Sequence, residues 1–179
     1  MSGFTADWFT EHAQDWLDVV WPRFRGLGPV RWLEVGSYEG LSALWVLDNV
    51  LPRGSEVWCL DHFDGDYEAR FDANVAGRGE QIVKFKAKSQ EALTRWAPGF
   101  DGAYVDGSHE EADVLADARE VWRILRPGGL VVFDDVGMEP VGRAVDALLA
   151  EEPAAQVLRR GWQAFVEKRL TRDLRVIQE

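Results

Sequence analysis

The sequence predicts an α/β domain in which a doubly wound, mostly parallel sheet of seven strands carries helices on both faces. Short apolar segments alternate along the chain with segments of helical periodicity, and this alternation is typical of βαβ units. Leu130–Phe133 is almost wholly apolar, as expected of a central strand that is covered on both faces. Right-handed crossovers between parallel strands then give the doubly wound arrangement.

The predicted elements follow one another with short connections. A helix is expected over Phe4–Phe24, where apolar residues recur at helical spacing, and Gly26, Gly28 and Pro29 end it. The predicted strands are Val30–Val35, Val57–Leu60, Gln81–Phe85, Gly102–Val105, Leu130–Phe133, Gln156–Gly161 and Ala164–Arg169. The predicted helices between them are Leu41–Leu51, Asp66–Ala76, Ser89–Trp96, His109–Leu125 and Val141–Ala150. Pro127, Gly128 and Gly129 are expected to form a turn before the fifth strand.

The chain has 179 residues, a length that fits one domain of ordinary size. We expect a helical segment over 1–29, followed by a ligand-binding α/β domain over 30–179. With 20 Lys and Arg against 31 Asp and Glu, the formal charge is −11. Because nucleic acids and anionic membranes attract Lys and Arg, this charge argues against either as a partner.

The number of cysteines and the sequence near the start of the chain indicate the cellular compartment of the protein. Cys59 is the only cysteine, so an internal disulfide is excluded and a reducing compartment is favoured. No apolar segment reaches the length of a membrane span, and no basic region precedes an apolar one near the start. The sequence therefore predicts a cytoplasmic protein.

Ligands of doubly wound folds bind beyond the carboxyl ends of the strands, so the residues that follow each strand are the candidates. The first strand runs into Gly36 and Gly40, which let the chain turn sharply and approach a cofactor closely. An ordinary strand-to-helix turn would show the same two glycines. Glu34 is a carboxylate in an otherwise apolar strand and needs a partner there. Long side chains between the glycines indicate a cofactor that lacks a pyrophosphate.

The next two strands also end in polar residues. Asp61 follows the second strand, where an acid accepts hydrogen bonds from both hydroxyls of a ribose. Asp61 is equally suited to capping a turn. Ser89 follows the third strand and is a natural N-cap, with a contact to an adenine edge as an additional role.

Three carboxylates follow the two central strands: Asp106, Asp134 and Asp135. Like charges placed together repel, and a divalent cation relieves that repulsion. Oxygen ligands without a Cys or His cluster favour Mg²⁺, and otherwise Mn²⁺ or Ca²⁺. Hydrogen bonding and turn capping are the alternative roles of these residues. His109 has the chemistry of a general base near neutral pH, although a lone His at a helix start is more often simply solvated.

These segments resemble the Rossmann-like class I methyltransferases that use S-adenosylmethionine, over about Val30–Arg169. They are most similar to the cation-dependent O-methyltransferases of catechol and caffeoyl-CoA type, and to sugar O-methyltransferases of macrolide and aminocoumarin pathways. The resemblance rests on Leu33–Ser42, on Lys88-Ser89-Gln90, on Tyr104–His109 and on Leu125–Asp135, which includes the Pro-Gly-Gly turn and the paired acids.

The resemblance implies a role for each matching position. Glu34 and Gly36 would hold the methionine part of the cofactor, Asp61 its ribose, and Ser89 and Gln90 its adenine. Further cofactor contacts are expected from Ser37, Tyr38, Gly40, Ser42 and Asp106. Mg²⁺ would be held by Asp106, Asp134 and Asp135. His109 stands where the catechol-type enzymes carry a Lys, and Ser108 where the aminocoumarin enzymes carry an acidic base, so we take His109 as the base.

Three hypotheses about function stay open at this point. The first is Mg²⁺-dependent methyl transfer to a hydroxyl of a small molecule, such as a sugar or a phenol. The second is a metal-independent methyltransferase of the same fold, and the third is a catalytically silent cofactor-binding or scaffold module. Few residues precede the first strand, and only His62–Gly79 could form a lid, so a homodimer is expected to complete the acceptor pocket.

Overall fold

A computed structural model describes residues 3–170 of the chain. Its seven strands lie in one mixed sheet in the order β3-β2-β1-β4-β5-β7-β6, and the predicted α/β architecture is confirmed. The chain divides into two compact units, of which the first ends at Ser89 and the second begins at Gln90. Each unit is described separately below.

The first unit holds three parallel strands. Its strands are β1 (Arg31–Val35), β2 (Glu56–Asp61) and β3 (Ile82–Lys86). Its helices are α1 (Ala13–Val19), α2 (Trp21–Phe24), α3 (Leu41–Asn49) and α4 (Tyr67–Val75), with single 3₁₀ turns over Thr10–His12 and Gly79–Gln81. Strand β2 pairs in parallel with both neighbours, with Glu34 opposite Cys59 and Asp61 opposite Lys86. The carboxyl ends of β1 and β2 therefore lie at one edge, where the cofactor residues were predicted.

The predicted helix over Phe4–Phe24 is wrong at its start, and the helical part begins only at Thr10. Asp7 ends the extended segment, because its Oδ1 accepts hydrogen bonds from the backbone N–H groups of Phe9 (3.2 Å) and Thr10 (2.9 Å). A side-chain oxygen that accepts hydrogen bonds from free backbone N–H groups stabilises the start of a helical turn, so Asp7 favours a turn that begins here. Pro22, in the first turn of α2, separates α2 from α1.

Aromatic rings fill the part of the first unit that surrounds these helices. Trp16 and Trp32 are fully buried, with ring centroids 5.7 Å apart, and Phe9 lies 5.2 Å from Trp16. Large rings bury much apolar surface each, which is the main stabilising contribution that these residues make.

The second unit completes the sheet with two further parallel strands and an antiparallel hairpin. Its strands are β4 (Phe100–Val105), β5 (Leu125–Phe133), β6 (Ala155–Arg160) and β7 (Ala164–Lys168). Its helices are α6 (Glu111–Ile124) and α7 (Glu139–Glu151). A short helix α5 (Ser89–Ala92) and a 3₁₀ turn (Leu93–Arg95) lead into β4. Strand β5 pairs with β4 in parallel and with β7 in antiparallel orientation, and β6 pairs with β7 in antiparallel orientation.

Two predicted boundaries in the second unit shift. Strand β5 begins at Leu125 rather than Leu130, so the predicted Pro-Gly-Gly turn lies inside the strand, as an irregularity in its pairing with β4 between Phe100 and Gly102. Helix α6 begins at Glu111 rather than His109. Ser108 causes this later start, because its Oγ accepts a hydrogen bond from the N–H of Glu110 and lies 3.0 Å from Asp113 Oδ2. His109 therefore lies in the loop between β4 and α6.

Candidate active site

The turn after β1 has the sharp geometry that its glycines predict. Gly36, Tyr38 and Gly40 have φ angles of 88°, 45° and 83°. The N–H of Gly36 donates to the carbonyl of Leu60 on β2 (2.9 Å). A Cβ atom built on Gly40 would lie only 3.1 Å from the ring of Phe71, so this position requires glycine both for its φ angle and for its close packing.

Glu34, at the end of β1, is 1% exposed. Ser42 Oγ donates to Glu34 Oε1, while Oε2 has no hydrogen-bond partner among the described residues. Burial, with the nearby charge of Asp61, raises the pKa of Glu34 to about 8, against a smaller opposing effect of the Ser42 hydrogen bond. The carboxyl group therefore favours its protonated form near neutral pH, and its Oε2 is a buried polar atom that a bound ligand could engage in a hydrogen bond.

Asp61, at the end of β2, organises the loops around it. Its Oδ2 accepts a hydrogen bond from the N–H of Tyr38 (2.9 Å), and its Oδ1 accepts from the N–H of Phe63 (2.8 Å). The hydroxyl of Tyr67 donates to the same Oδ1 (3.2 Å). A carboxylate has about four acceptor positions, so three internal donors leave room for one further donor. The capping role considered for Asp61 is therefore present, and a ribose contact is compatible with it.

The segment before the first helical turn lies against the turn after β1. Glu39, which is buried, accepts hydrogen bonds from the N–H and the Oγ1 of Thr5 (both 2.7 Å). The ring of Tyr38 lies between those of Trp8 and Tyr67, at centroid distances of 5.4 and 5.0 Å. These contacts could not be predicted, because Thr5 and Trp8 are distant from the turn along the chain.

The other predicted cofactor residues lie as follows. Ser37 is buried within the turn after β1, and Ser42 is in the first turn of α3. Ser89 and Gln90 are half-buried and begin α5, at the junction between the two units. Ser89 is thus the first residue of this helix rather than a residue before it.

In the second unit, the loop after β4 and the end of β5 bring three side chains together. His109 Nε2 lies 2.7 Å from Asp135 Oδ2. Asp106, His109 and Asp135 each offer one ligand atom, and these atoms lie within 4.8 Å of one another. They line a small pocket whose apolar side is formed by Val105, Val114, Phe133 and Val141. The imidazole is about half exposed and the Asp135 side chain much less so, which leaves the ring accessible to a small molecule.

Asp134 does not join that group. It is buried, and its Oδ1 accepts hydrogen bonds from the side-chain amide of Gln163 (3.2 Å) and from the N–H of Asp135 (2.8 Å). The hydroxyl of Tyr104 donates to its Oδ2 and lies 3.3 Å from Asp106 Oδ2. Asp134 therefore anchors a buried network that supports the two neighbouring carboxylates.

Trp162 is a further residue of this region that the sequence did not indicate. Its indole N–H donates to Asp135 Oδ1 (2.9 Å). Trp162 and Gln163 lie in the turn between β6 and β7, far from Asp134 and Asp135 in sequence, and only the pairing of β7 with β5 brings them there. A tryptophan in a hairpin turn carries no local signal of such a contact.

Both groups of residues fit the ligands that the sequence predicts. The unpartnered oxygen of Glu34 and the glycine turn suit a small cofactor that carries hydrogen-bond donors. Two carboxylates and an imidazole suit a divalent cation, and imidazole accommodates Mn²⁺ better than Mg²⁺. The imidazole beside a carboxylate is also a complete base and orienting partner without any ion.

The described fold is a doubly wound domain with a sharp glycine turn after the first strand and a cluster of Asp106, His109 and Asp135 after the fourth and fifth strands. A family profile described as a methyltransferase domain matches residues 33–136, more than half of the chain. The chain belongs to this family of methyltransferase domains. This match confirms the predicted class of enzyme, the methyltransferases that use S-adenosylmethionine.

Solved structures are similar in fold. An O-methyltransferase from Bacillus cereus in complex with SAH (S-adenosylhomocysteine) is 18% identical, with a TM-score of 0.70 over 91% of this chain and 82% of that chain. A candidate O-methyltransferase from Klebsiella pneumoniae is 19% identical, with a TM-score of 0.72 over 93% and 84%. The SAH-bound methyltransferase PaMTH1 from Podospora anserina is 16% identical, with a TM-score of 0.66 over 94% and 100%. None of the curated protein sequences matches the chain.

No helix within residues 3–170 is both long enough and apolar enough to cross a membrane.

Proposed function

We propose that this protein transfers the methyl group of S-adenosylmethionine to a hydroxyl oxygen of a small molecule. The observation that carries the proposal is the 2.7 Å contact between His109 Nε2 and Asp135 Oδ2 in an accessible pocket beside Asp106. An imidazole held by a carboxylate on one nitrogen is oriented to accept a proton on the other.

The residues of the second unit would perform the proton transfer. His109 Nδ1 accepts the proton of the acceptor hydroxyl while the oxygen forms its bond to the methyl carbon. Asp135 stabilises the imidazolium that results. S-adenosylmethionine, when bound, supplies a methyl group on a positively charged sulfur, and the electrons of the broken carbon–sulfur bond stay on that sulfur. The products are a methyl ether, S-adenosylhomocysteine and the proton on His109.

The residues of the first unit would bind the cofactor. Glu34 would hydrogen-bond the cofactor through Oε2, and Asp61 would use its remaining acceptor position for a ribose hydroxyl. Gly36, Ser37, Tyr38, Gly40 and Ser42 form the surrounding turn, and Ser89, Gln90 and Asp106 are the further proposed contacts. The SAH-bound relatives of similar fold support this assignment.

A divalent cation, Mg²⁺ by the family resemblance, is part of the proposal. Asp106 and Asp135 would hold it directly, and Asp134 would act as the third predicted ligand only if it exchanged one of its internal hydrogen bonds. An ion there would lower the pKa of the acceptor hydroxyl. The pairing of His109 with Asp135 also supports the second hypothesis, a metal-independent reaction in which these two residues suffice.

The experiment combines binding and turnover. Calorimetry with S-adenosylhomocysteine is expected to give micromolar binding. Labelled S-adenosylmethionine is then offered with catechols, simple phenols and hexose glycosides. Failure to bind S-adenosylhomocysteine would refute the proposal at its first step.

The same assay decides the role of a cation. Excess EDTA followed by Mg²⁺ or Mn²⁺ should abolish and then restore transfer, and Asp106→Asn should weaken it. Asp48→Asn is a matched control, since Asp48 pairs with Arg78 at the surface of the first unit. Transfer that survives EDTA at full rate would select the metal-independent hypothesis.

We further propose that the protein acts in the cytoplasm as a homodimer. The single Cys59 is buried, and its burial raises the pKa of the thiol, so it is unreactive and suits a reducing compartment. The N-terminal helices expose Leu17 and Trp21, and the loop after them exposes Leu27; interfaces between copies cover apolar side chains of this kind. Sedimentation at micromolar concentration is expected to show a dimer, and a monomer alone would refute it.

A further inference from the structure

The turn between β6 and β7 places two consecutive side chains on two consecutive carboxylates. Trp162 donates to Asp135, and the next residue, Gln163, donates to Asp134. The backbone fixes this arrangement, because Phe133 pairs with Ala164 and the N–H of Val136 donates to the carbonyl of Trp162 (2.9 Å). The hairpin thus supports both acidic residues that end β5.

We propose that Trp162 is a positioning residue that holds Asp135 in the orientation His109 needs. This inference rests on the proposed role of His109 as the base. The indole N–H occupies Asp135 Oδ1 at 2.9 Å, and Asp135 Oδ2 lies 2.7 Å from His109 Nε2. A carboxylate bound at both oxygens cannot rotate about its last bond, so the imidazole keeps one orientation.

The backbone conformation near Asp135 fits the hydrogen bond between Trp162 and Asp135. Asp135 itself has a φ of 54°, a conformation that non-glycine residues adopt only where their surroundings require it. Gly137 gives the indole its place, since a Cβ atom built there would lie 2.5 Å from the Trp162 ring. The ring is 48% exposed, so burial of apolar surface alone does not account for its placement.

The chain offers a matched control for the loss of an indole N–H. Trp58 Nε1 donates to Glu56 Oε2 at 2.7 Å, on strand β2 of the other unit. Trp162→Phe and Trp58→Phe therefore remove the same atom and the same kind of hydrogen bond to a carboxylate. Of these two hydrogen bonds, the one from Trp162 involves the proposed catalytic pair of His109 and Asp135.

The first test is a spectrum of the free protein, which needs no acceptor. The chain has three histidines, and His109→Ala assigns the imidazole signals of His109 in a ¹⁵N NMR spectrum. In the wild type, the proton of Nε2 is expected to be visible, because Asp135 protects it from exchange. Trp162→Phe should broaden or shift that signal, whereas Trp58→Phe should leave it unchanged. An unchanged His109 signal in folded Trp162→Phe would overturn the proposal.

The second test is a double-mutant cycle on turnover, with the acceptor that the wild type methylates. Trp162→Phe is expected to lower kcat roughly tenfold and to leave the KM for S-adenosylmethionine unchanged. This loss is a part of the about 10²–10⁴-fold rate increase that a general base contributes. In a His109→Ala background, Trp162→Phe should have no further effect, since its action passes through His109. Additive effects of the two changes would contradict a positioning role.

Failure of this inference is distinguishable from failure of the proposed function. If His109→Ala is as active as the wild type, His109 is not the base and the proposed mechanism itself is wrong. If His109→Ala is impaired but Trp162→Phe is not, only the positioning role is wrong. Gly137→Ala is a second variant, expected to displace the indole and to reproduce the NMR change of Trp162→Phe while Trp162 is still present.

Discussion

His109 reaches Asp135 from a loop, although its sequence pattern places it at the start of a helix. The residue type and its position after β4 could be predicted, because both depend on the local sequence. Its partners could not be predicted, because Asp135 follows strand β5 and Trp162 lies in the turn between β6 and β7, both far from His109 in sequence. Asp61 is a similar case. Its position after β2 predicted a contact to a ribose, and the structure shows that it also accepts hydrogen bonds from three donors within the chain.

Glu34 makes stability depend on pH. Its pKa of about 8 lies above the ordinary value of 4.5, so the folded chain binds a proton that the unfolded chain releases. The stabilisation is complete below about pH 4.5 and is lost as pH rises through about 8. Urea unfolding at pH 6 to 9 should therefore show the wild type losing free energy of unfolding relative to Glu34→Gln, which cannot ionise. A difference that does not vary with pH would contradict this assignment.

Tyr104 stabilises a buried carboxylate. Tyr104→Phe removes the hydroxyl that donates to Asp134 but keeps the ring, and Asp134 retains the hydrogen bonds from the amide of Gln163 and the N–H of Asp135. Loss of a donor to a buried polar group is expected to cost about 1–3 kcal/mol of the free energy of unfolding. Chemical denaturation measures this loss, and unchanged stability would show that the network is dispensable.

At the scale of elements, the sequence predicted most helices and strands because their periodicity is local. The start of the first helix was wrong because Asp7 caps at Thr10, and residues 4–9 instead extend toward Glu39. The predicted start of β5 after the Pro-Gly-Gly turn was wrong, because β5 already includes these residues and pairs irregularly with β4 there. Hydrogen bonds between distant segments determine both the start of the first helix and the start of β5. Local periodicity does not reveal such bonds.

Gly129 is the residue that this irregular part of β5 requires. A Cβ atom there would lie 2.8 Å from the carbonyl oxygen of Arg126 and 2.9 Å from that of Asp101. Because backbone atoms cannot yield easily, Gly129→Ala should lower the free energy of unfolding by about 1–3 kcal/mol. Gly28→Ala is the matched control, since a Cβ there meets no atom within 4 Å, and it should shift the thermal midpoint little. Equal midpoints for the two variants would count against this packing.

For the whole molecule, the formal charge of −11 has a partial explanation. Glu34 and Asp61 lie at strand ends of the first unit, and Asp106, Asp134 and Asp135 at strand ends of the second. The proposed ligands, a cationic sulfonium, ribose hydroxyls and a divalent ion, would favour carboxylates at these positions, whereas Glu34 favours its protonated form near neutral pH and adds little to the charge. The fold class and the sharp glycine turn after β1 could be predicted from strand-end motifs, whereas the acceptor could not, because no motif of the sequence specifies it.

The measurement that tests the central claim most directly is methyl transfer by His109→Asn beside the wild type, with S-adenosylhomocysteine affinity measured on both. We expect the wild type to methylate a hydroxyl acceptor, and His109→Asn to lose about a hundredfold in kcat because it lacks a base. The two proteins should bind S-adenosylhomocysteine equally well, since the proposed cofactor contacts are intact. Full activity in His109→Asn would contradict the account.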